Sequence, residues 1–260
     1  MENNSPVLAS VTIQINKYEP YKVANGKNDA TFFVASDDID MADLQRYRQE
    51  TKTECLIAIN TTNKNYDCLE LTDNVISCSP DEVQLVMQAF QLLHSGSGFI
   101  GMDWNEVKWA NSSGRNIEFL HGMASGENCV ALACEQLIPK LKNLSSNYPI
   151  TNMMINMFAD ISFGCEQQDF IIKQIDKNLM VKDATTFYQL SFFDEFADWK
   201  SGERGCCICM FLVYADKEDD IEPVIIEDDI PIKTTNPTQR AGNSIKEYLR
   251  RQQQRNKSES

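Results

Sequence analysis

Histidine is almost absent from this chain. His94 and His121 are its only two in 260 residues, which excludes a histidine-rich metal site. Positive charge is scarce as well: 24 Lys and Arg stand against 38 Asp and Glu, a formal net charge of −14. Binding nucleic-acid phosphates requires a net basic face, so no nucleic-acid partner is expected. Long apolar runs are missing. No stretch approaches the ~18 residues that cross a bilayer, so no transmembrane segment is expected. Met1–Ser10 lacks a basic segment followed by an apolar one, so no signal peptide is expected. Glycine is thin, and its densest stretch is Gly96-Ser97-Gly98. A loop that wraps backbone amides around phosphates needs more glycine than that.

What remains is ordinary globular material, with 42% hydrophobic and 24% charged residues, enough for one large domain or two of common size. The nine cysteines are odd in number and lack a framework spacing, as free thiols in a reducing compartment do. A cytoplasmic location is therefore expected. Cys206, Cys207 and Cys209 cluster inside the apolar run Cys206–Tyr214, which reads as a buried strand. Alternation places Cys207 and Cys209 on one face and Cys206 on the other. With no second ligand pair at zinc spacing, core packing is the preferred reading, and no metal or cofactor is expected.

Strand and helix patterns alternate along the chain. Val11–Asn16, Ala30–Ser36, Cys55–Asn60 and Val75–Cys78 read as strands, with a helix at Met41–Thr51. Ser79-Pro80-Asp81-Glu82 is a helix start, with Ser as cap, Pro at the first position and acids in the first turn. Val83, Val86, Met87, Phe90 and Leu93 follow at helical spacing. In the second half, Asn116–Gly122 reads as a strand and Ser125–Leu144 as a helix capped by Ser125 and ended or kinked at Pro139. Met153–Phe158, Thr185–Phe193 and Gly205–Ala215 are strands, and Gln167–Leu179 is a helix with Phe170, Ile171, Gln174 and Ile175 inward. This mix predicts an α/β or α+β body.

Two motifs carry more information. Phe99-Ile100-Gly101-Met102-Asp103-Trp104-Asn105-Glu106-Val107-Lys108 places two carboxylates three residues apart, on one face of a starting helix. The same pattern describes a cap, Asp103, with a capping-box acid, Glu106. Leu120-His121-Gly122-Met123-Ala124-Ser125-Gly126-Glu127-Asn128 is a strand turning tightly into a helix. It lacks the Lys and Thr of a phosphate loop, so a structural role for its glycines is preferred over phosphate cradling.

Together the motifs make the stretch Ala89–Leu137 resemble the C-terminal domain of the FtsZ family, the bacterial tubulin homologues of cell division. The family's Ile-Asn-x-Asp-x-x-Asp-Val synergy loop corresponds to Ile100–Val107, and its Gly-x-Ala-Ser-Gly-Glu-Asn turn to Gly122–Asn128, at matching separation. The resemblance implies an α+β two-layer sandwich over residues 81–215, preceded by a reduced βα region, 1–80, resembling the end of a GTPase domain. The family's Gly-Gly-Gly-Thr-Gly-Thr-Gly phosphate loop has no counterpart here, and its synergy-loop Asn and second Asp are replaced by Gly101 and Glu106. The expectation is a pseudo-GTPase, not an enzyme. It would act through protein–protein interaction, modulating or capping FtsZ-type filaments, with Gly101, Asp103 and Glu106 as interaction residues. The alternatives are a diverged GTPase of the family and a binding module that shares only the fold.

After Tyr214 the composition changes. Asp216–Ile230 carries a local charge of −7 and Lys233–Ser260 one of +5, which reads as a solvated acidic linker (216–260 being the tail) followed by a short basic helix near Ser244–Arg255. Within it Tyr248, Leu249, Arg250 and Arg251 resemble the peptide by which FtsZ tails dock on adaptors. Truncation after Tyr214 is expected to leave the melting temperature nearly unchanged in a calorimetric scan; a large drop would make the tail part of the fold.

Overall fold

The computed structural model describes residues 15–20, 26–62, 64–92, 104–112, 114–160, 162–179, 184–192 and 204–214. Eight strands form one sheet: β1 (Ile15–Lys17), β2 (Ala30–Val34), β3 (Cys55–Asn60), β4 (Asn74–Ser77), β5 (Asn116–Ser125), β6 (Ile150–Ala159), β7 (Thr185–Phe192) and β8 (Gly205–Tyr214). Their order is β1-β2-β3-β4-β5-β8-β6-β7. The first five run parallel, β8 lies antiparallel between β5 and β6, and β7 is parallel to β6. The expected α/β class is the one observed. Residue 80 falls at a 3-10 turn, Pro80–Glu82, while the sheet continues across it through the pairing of Val75 with Asn116.

Among the described residues five helices cover the two faces: α1 (Met41–Thr51), α2 (Val83–Leu92), α3 (Trp104–Ser112), α4 (Cys129–Asn147) and α5 (Cys165–Asn178). Strand alternation divides the core between them. Phe33, Leu56 and Ala58 pack with Leu44 and Tyr47 of α1. Met153, Ile155, Ile208, Met210 and Leu212 pack with Leu137 and Leu141 of α4 and Ile171 and Ile175 of α5. The opposite face gives Phe32, Ile57, Ile59, Ile76, Phe119 and Phe158 to Val86, Ala89 and Phe90 of α2 and Val107 and Ala110 of α3. Among the described residues no helix is long and apolar enough to cross a membrane.

The sheet curls around α2. Phe90 stands edge-on to Phe32 of β2 at 4.8 Å and to Phe211 of β8 at 5.7 Å. Those strands are four ladder steps apart, roughly 19 Å in a flat sheet. One ring reaches both because the sheet is bent into a trough. Buried asparagines then fix α2 and α3 in the trough. Asn156 donates to Ala89 O at 3.0 Å, Asn152 to Ala110 O at 3.0 Å and Asn74 to Asn111 O at 2.9 Å. Ala110 and Asn111 lie in the last turn of α3, and Ala89 on the buried face of α2, so sheet side chains tie both helices down through their carbonyls.

Several boundaries differ from the sequence reading. Ser125 is not a helix cap: β5 stays paired with β8 up to Ser125–Gly205, and α4 begins only at Cys129 with Asn128 at its N-cap position. Pro139 neither ends nor breaks α4, which runs on to Asn147 because Leu137, Leu141 and Leu144 form one buried stripe. A lost helix hydrogen bond is outweighed by that burial. On α5, Phe170 is 40% exposed and Gln168 is buried instead, the inward stripe being Gln168, Ile171 and Ile175.

The glycines of the strand-to-helix motif have distinct structural roles. A Cβ on Gly122 would lie 2.0 Å from Ala133 O, so glycine lets α4 approach β5, whereas Gly126 has open space and a φ of +93°. Gly122→Ala is expected to cost at least about 3 kcal/mol in urea unfolding, and Gly126→Ala about 1–2 kcal/mol. Equal costs would contradict this division of roles.

Candidate interaction site

α3 lies across the N-terminal ends of the parallel strands. Its start is tied to Glu54, the residue before β3, which accepts from Lys27 at 2.8 Å, Lys108 at 3.3 Å and the Trp104 indole at 3.4 Å. Its far end is held by Asn74 and Asn152. Val107 and Ala110 are buried, while Glu106 in the first turn is half-buried and Lys108 is exposed. Trp109, 43% exposed, stands edge-on to Phe187 of β7 at 5.6 Å. Of the three synergy-loop-like residues, Glu106 is therefore placed on the surface at this end. Gly101 and Asp103 lie outside the described residues, as do His94 and the tail residues Tyr248, Leu249, Arg250 and Arg251.

The Glu54 cluster was not singled out from sequence. Its members are separated by 27 to 54 positions, and only the packing of α3 against the start of β3 assembles them. The Glu54 carboxyl is pulled down to about 2, first by its hydrogen bond from Lys27, then by those from Trp104 and Lys108.

The other end of the parallel strands has a different chemistry. Open α/β sheets bind ligands outside the C-terminal ends of their strands. Here those ends are lined with carboxylates. Asp37 follows β2 and holds Lys64 at 2.6 Å. Asp40 caps α1 by accepting from Ala42 N at 2.9 Å and Asp43 N at 3.3 Å. Glu82 accepts from Ser79 N at 2.7 Å at the start of α2. On β5, burial and then the Glu82 charge raise the Glu118 carboxyl to about 7. The first-turn donors of α1 are thus already taken by an acid, where a phosphate would need them free.

The cysteine cluster lies within the core. Cys207 and Cys209 face α2 with their sulfurs 3.6 Å apart, and Cys206 faces α4, as strand alternation predicted. Burial pushes the Cys206 and Cys209 thiols well above their ordinary value, which keeps them protonated and inert.

Because the folded Glu54 carboxyl lies at about 2 and its ordinary value is 4.5, the stability it contributes is present above pH 4.5 and lost as pH falls towards 2. Half-exposed pairs of this kind are worth less than about 1 kcal/mol. Glu54→Gln is therefore expected to flatten the acid titration of tryptophan fluorescence while lowering the unfolding midpoint only slightly; an unaltered titration would show that Glu54 does not position Trp104.

No protein-family model matches the sequence, and no curated protein matches it. Solved structures do. The W319Y mutant of FtsZ from M. jannaschii matches over 72% of this chain and 65% of its own, at 11% identity and a TM-score of 0.54. CetZ from Methanosaeta thermophila strain DSM 6194 matches over 90% and 71% at 12% identity and a TM-score of 0.44. CetZ1 from Haloferax volcanii, a GDP-bound monomer, matches over 73% and 66% at 11% identity and a TM-score of 0.41. The fold assignment rests on the first of these: the chain spans 65% of that FtsZ's length and has an α/β fold resembling it.

Proposed function

We propose that this chain is an FtsZ-like protein that does not bind nucleotide and acts by protein–protein contact on an FtsZ-type filament in the cytoplasm, in the setting of cell division. The observation that supports this best is the opposition of its two ends. The end where α3 begins offers Glu106, Lys108 and the exposed Trp109. The end where a ligand would lie in an open α/β sheet carries Asp37, Asp40 and Glu82, which repel phosphate.

In the family this chain resembles, subunits join head to tail, a synergy loop meeting the next subunit's nucleotide face. A protein with the loop end alone supplies one half of a heterologous contact. It adds to a terminal subunit and nothing adds to it in turn, so it caps the filament. Asp103 matches the family's first loop carboxylate. Glu106 keeps the charge of the second but is longer by one methylene, and Gly101 lacks the Asn amide. The contact is therefore weaker than a filament's own. The tail residues Tyr248, Leu249, Arg250 and Arg251 would serve a separate adaptor.

A diverged GTPase is the second reading, favoured by the likeness of the fold to an FtsZ. Calorimetry with GTP and magnesium ion separates the two: no heat is expected, and a micromolar Kd would establish the second. For the filament contact, substoichiometric protein is expected to shorten FtsZ filaments, and Asp103→Ala with Glu106→Ala to abolish the effect. If wild type leaves filament length unchanged, or the double variant acts like wild type, capping is wrong and only the fold is shared.

A further inference from the structure

The sheet ends at β7, and among the described residues no strand pairs with its outer edge. Edge strands are usually defended by proline, lysine or inward-pointing charge. Thr185-Thr186-Phe187-Tyr188-Gln189-Leu190-Ser191-Phe192 has no proline and no charged residue, and aromatic and β-branched side chains make up much of it. Its second half is buried at Gln189, Leu190 and Ser191. Its first half is not: Thr185 is exposed, and Thr186, Phe187 and Tyr188 are half-buried. Beside that half stands Trp109, 43% exposed and edge-on to Phe187 at 5.6 Å. A strand edge next to an exposed indole suits an added strand, which takes main-chain hydrogen bonds from the edge and a side-chain seat from the ring.

The chain leaves the sheet at this same end. Tyr214, the last residue of β8, pairs with Asn116 and Ile150, the first residues of β5 and β6. Gly114, just beyond α3, lies so close that a Cβ there would stand 2.8 Å from the Tyr214 carbonyl oxygen. Thr185 starts β7 level with Asn152 of β6. From β8 to a position outside β7 is three ladder steps, roughly 14 Å. Residues beyond Tyr214 lie outside the described ones, but their composition is plain. Ala215–Pro223 is mostly acidic, and Val224-Ile225-Ile226 follows, with Glu222 before it and Glu227, Asp228 and Asp229 after it. Ten Cα steps separate Tyr214 from Val224, roughly 33 Å when extended, which spans the distance with length to spare. Three successive β-branched residues have strand character and no apolar partner among such neighbours. The opposite end of the parallel strands, with Asp37, Asp40 and Glu82, repels a segment of this charge.

We propose that Val224–Ile226 of the chain's own tail adds to the outer edge of β7 at Thr185–Tyr188 and covers Trp109. A segment that leaves the sheet where β7 begins runs alongside β7 in the same direction. Its trough-facing side chains meet Trp109 and Phe187. The tether makes the contact intramolecular, at an effective concentration in the millimolar range, so a modest affinity keeps it mostly closed. A tenfold preference for the closed state moves the melting temperature of a chain this size by only a few degrees, in keeping with the small effect expected of truncation. The indole offered to a filament is then occluded until the tail is displaced. That consequence rests on the proposed filament contact; the docking itself does not.

Native-state hydrogen exchange with peptide resolution tests the docking on the full chain, with no filament protein present. The triple variant Val224→Ser, Ile225→Ser and Ile226→Ser alters no residue of the sheet. It is expected to lower protection of residues 185–188 about tenfold, while residues 150–159 of β6, paired on both sides, change little. Trp109→Ala is expected to lower protection of residues 224–226 by a similar factor. Both protections are expected to be the same after tenfold dilution. If residues 185–188 exchange alike in wild type and the triple variant, the docking is wrong. If their protection falls on dilution, with a dimer in sedimentation, a second copy and not the chain's own tail occupies the edge. In the filament-length assay the triple variant is expected to act at about tenfold lower concentration than wild type. Equal potency overturns the occlusion. A tail-dependent change in exchange with no effect of either protein on filaments upholds the docking and sinks the filament contact instead.

Discussion

The rest of the fold depends on how the sheet wraps around α2. Eight strands in one sheet would leave the two ends of the sheet far apart. Curling brings β2 and β8 onto a single ring, Phe90, and makes one apolar cluster out of residues drawn from both halves of the chain. Inside that trough Asn74, Asn152 and Asn156 donate to the buried carbonyls of Asn111, Ala110 and Ala89, so each amide nitrogen meets an acceptor. The position of α3 follows from the hydrogen bonds of Asn74 and Asn152 and from Glu54.

The direction of the parallel strands then separates two chemistries. At their N-terminal ends α3 presents a mixed surface with an exposed aromatic, Trp109, beside Glu106 and Lys108. Aromatic residues ringed by charge are the usual material of protein contacts. At their C-terminal ends carboxylates occupy the places where phosphate-binding members of such folds keep free amides. One sheet connects both ends.

What could be read from the chain alone was whatever is carried by near neighbours in sequence. The helix at Met41–Thr51, the Ser79-Pro80 helix start and the strand Cys55–Asn60 were legible because capping residues and apolar alternation are local signals. So was the division of Cys206 from Cys207 and Cys209, which follows from the period of a strand. The α/β class came from the alternation of strand and helix patterns, and the likeness to FtsZ from two short motifs at fixed spacing. The reading failed where a distant partner decided the outcome. Ser125 looks like a cap until β8 extends the ladder past it. Pro139 reads as an end or a kink, and the helix does not end there because the apolar stripe of α4 is laid on the sheet.

Composition and order of residues determined that this chain is acidic, lacks a glycine-rich phosphate loop and alternates strand with helix. Only the tertiary structure decided that the strands form one curled sheet, that Gly122 is there for the backbone of α4 rather than for a ligand, and that Glu54 and His121 sit among charges far away in sequence. The reason is physical. Propensity, capping and periodicity act over a few residues, whereas the curl of a sheet, the closeness of a helix and the charge of a carboxyl are set by groups brought together only once the chain has folded.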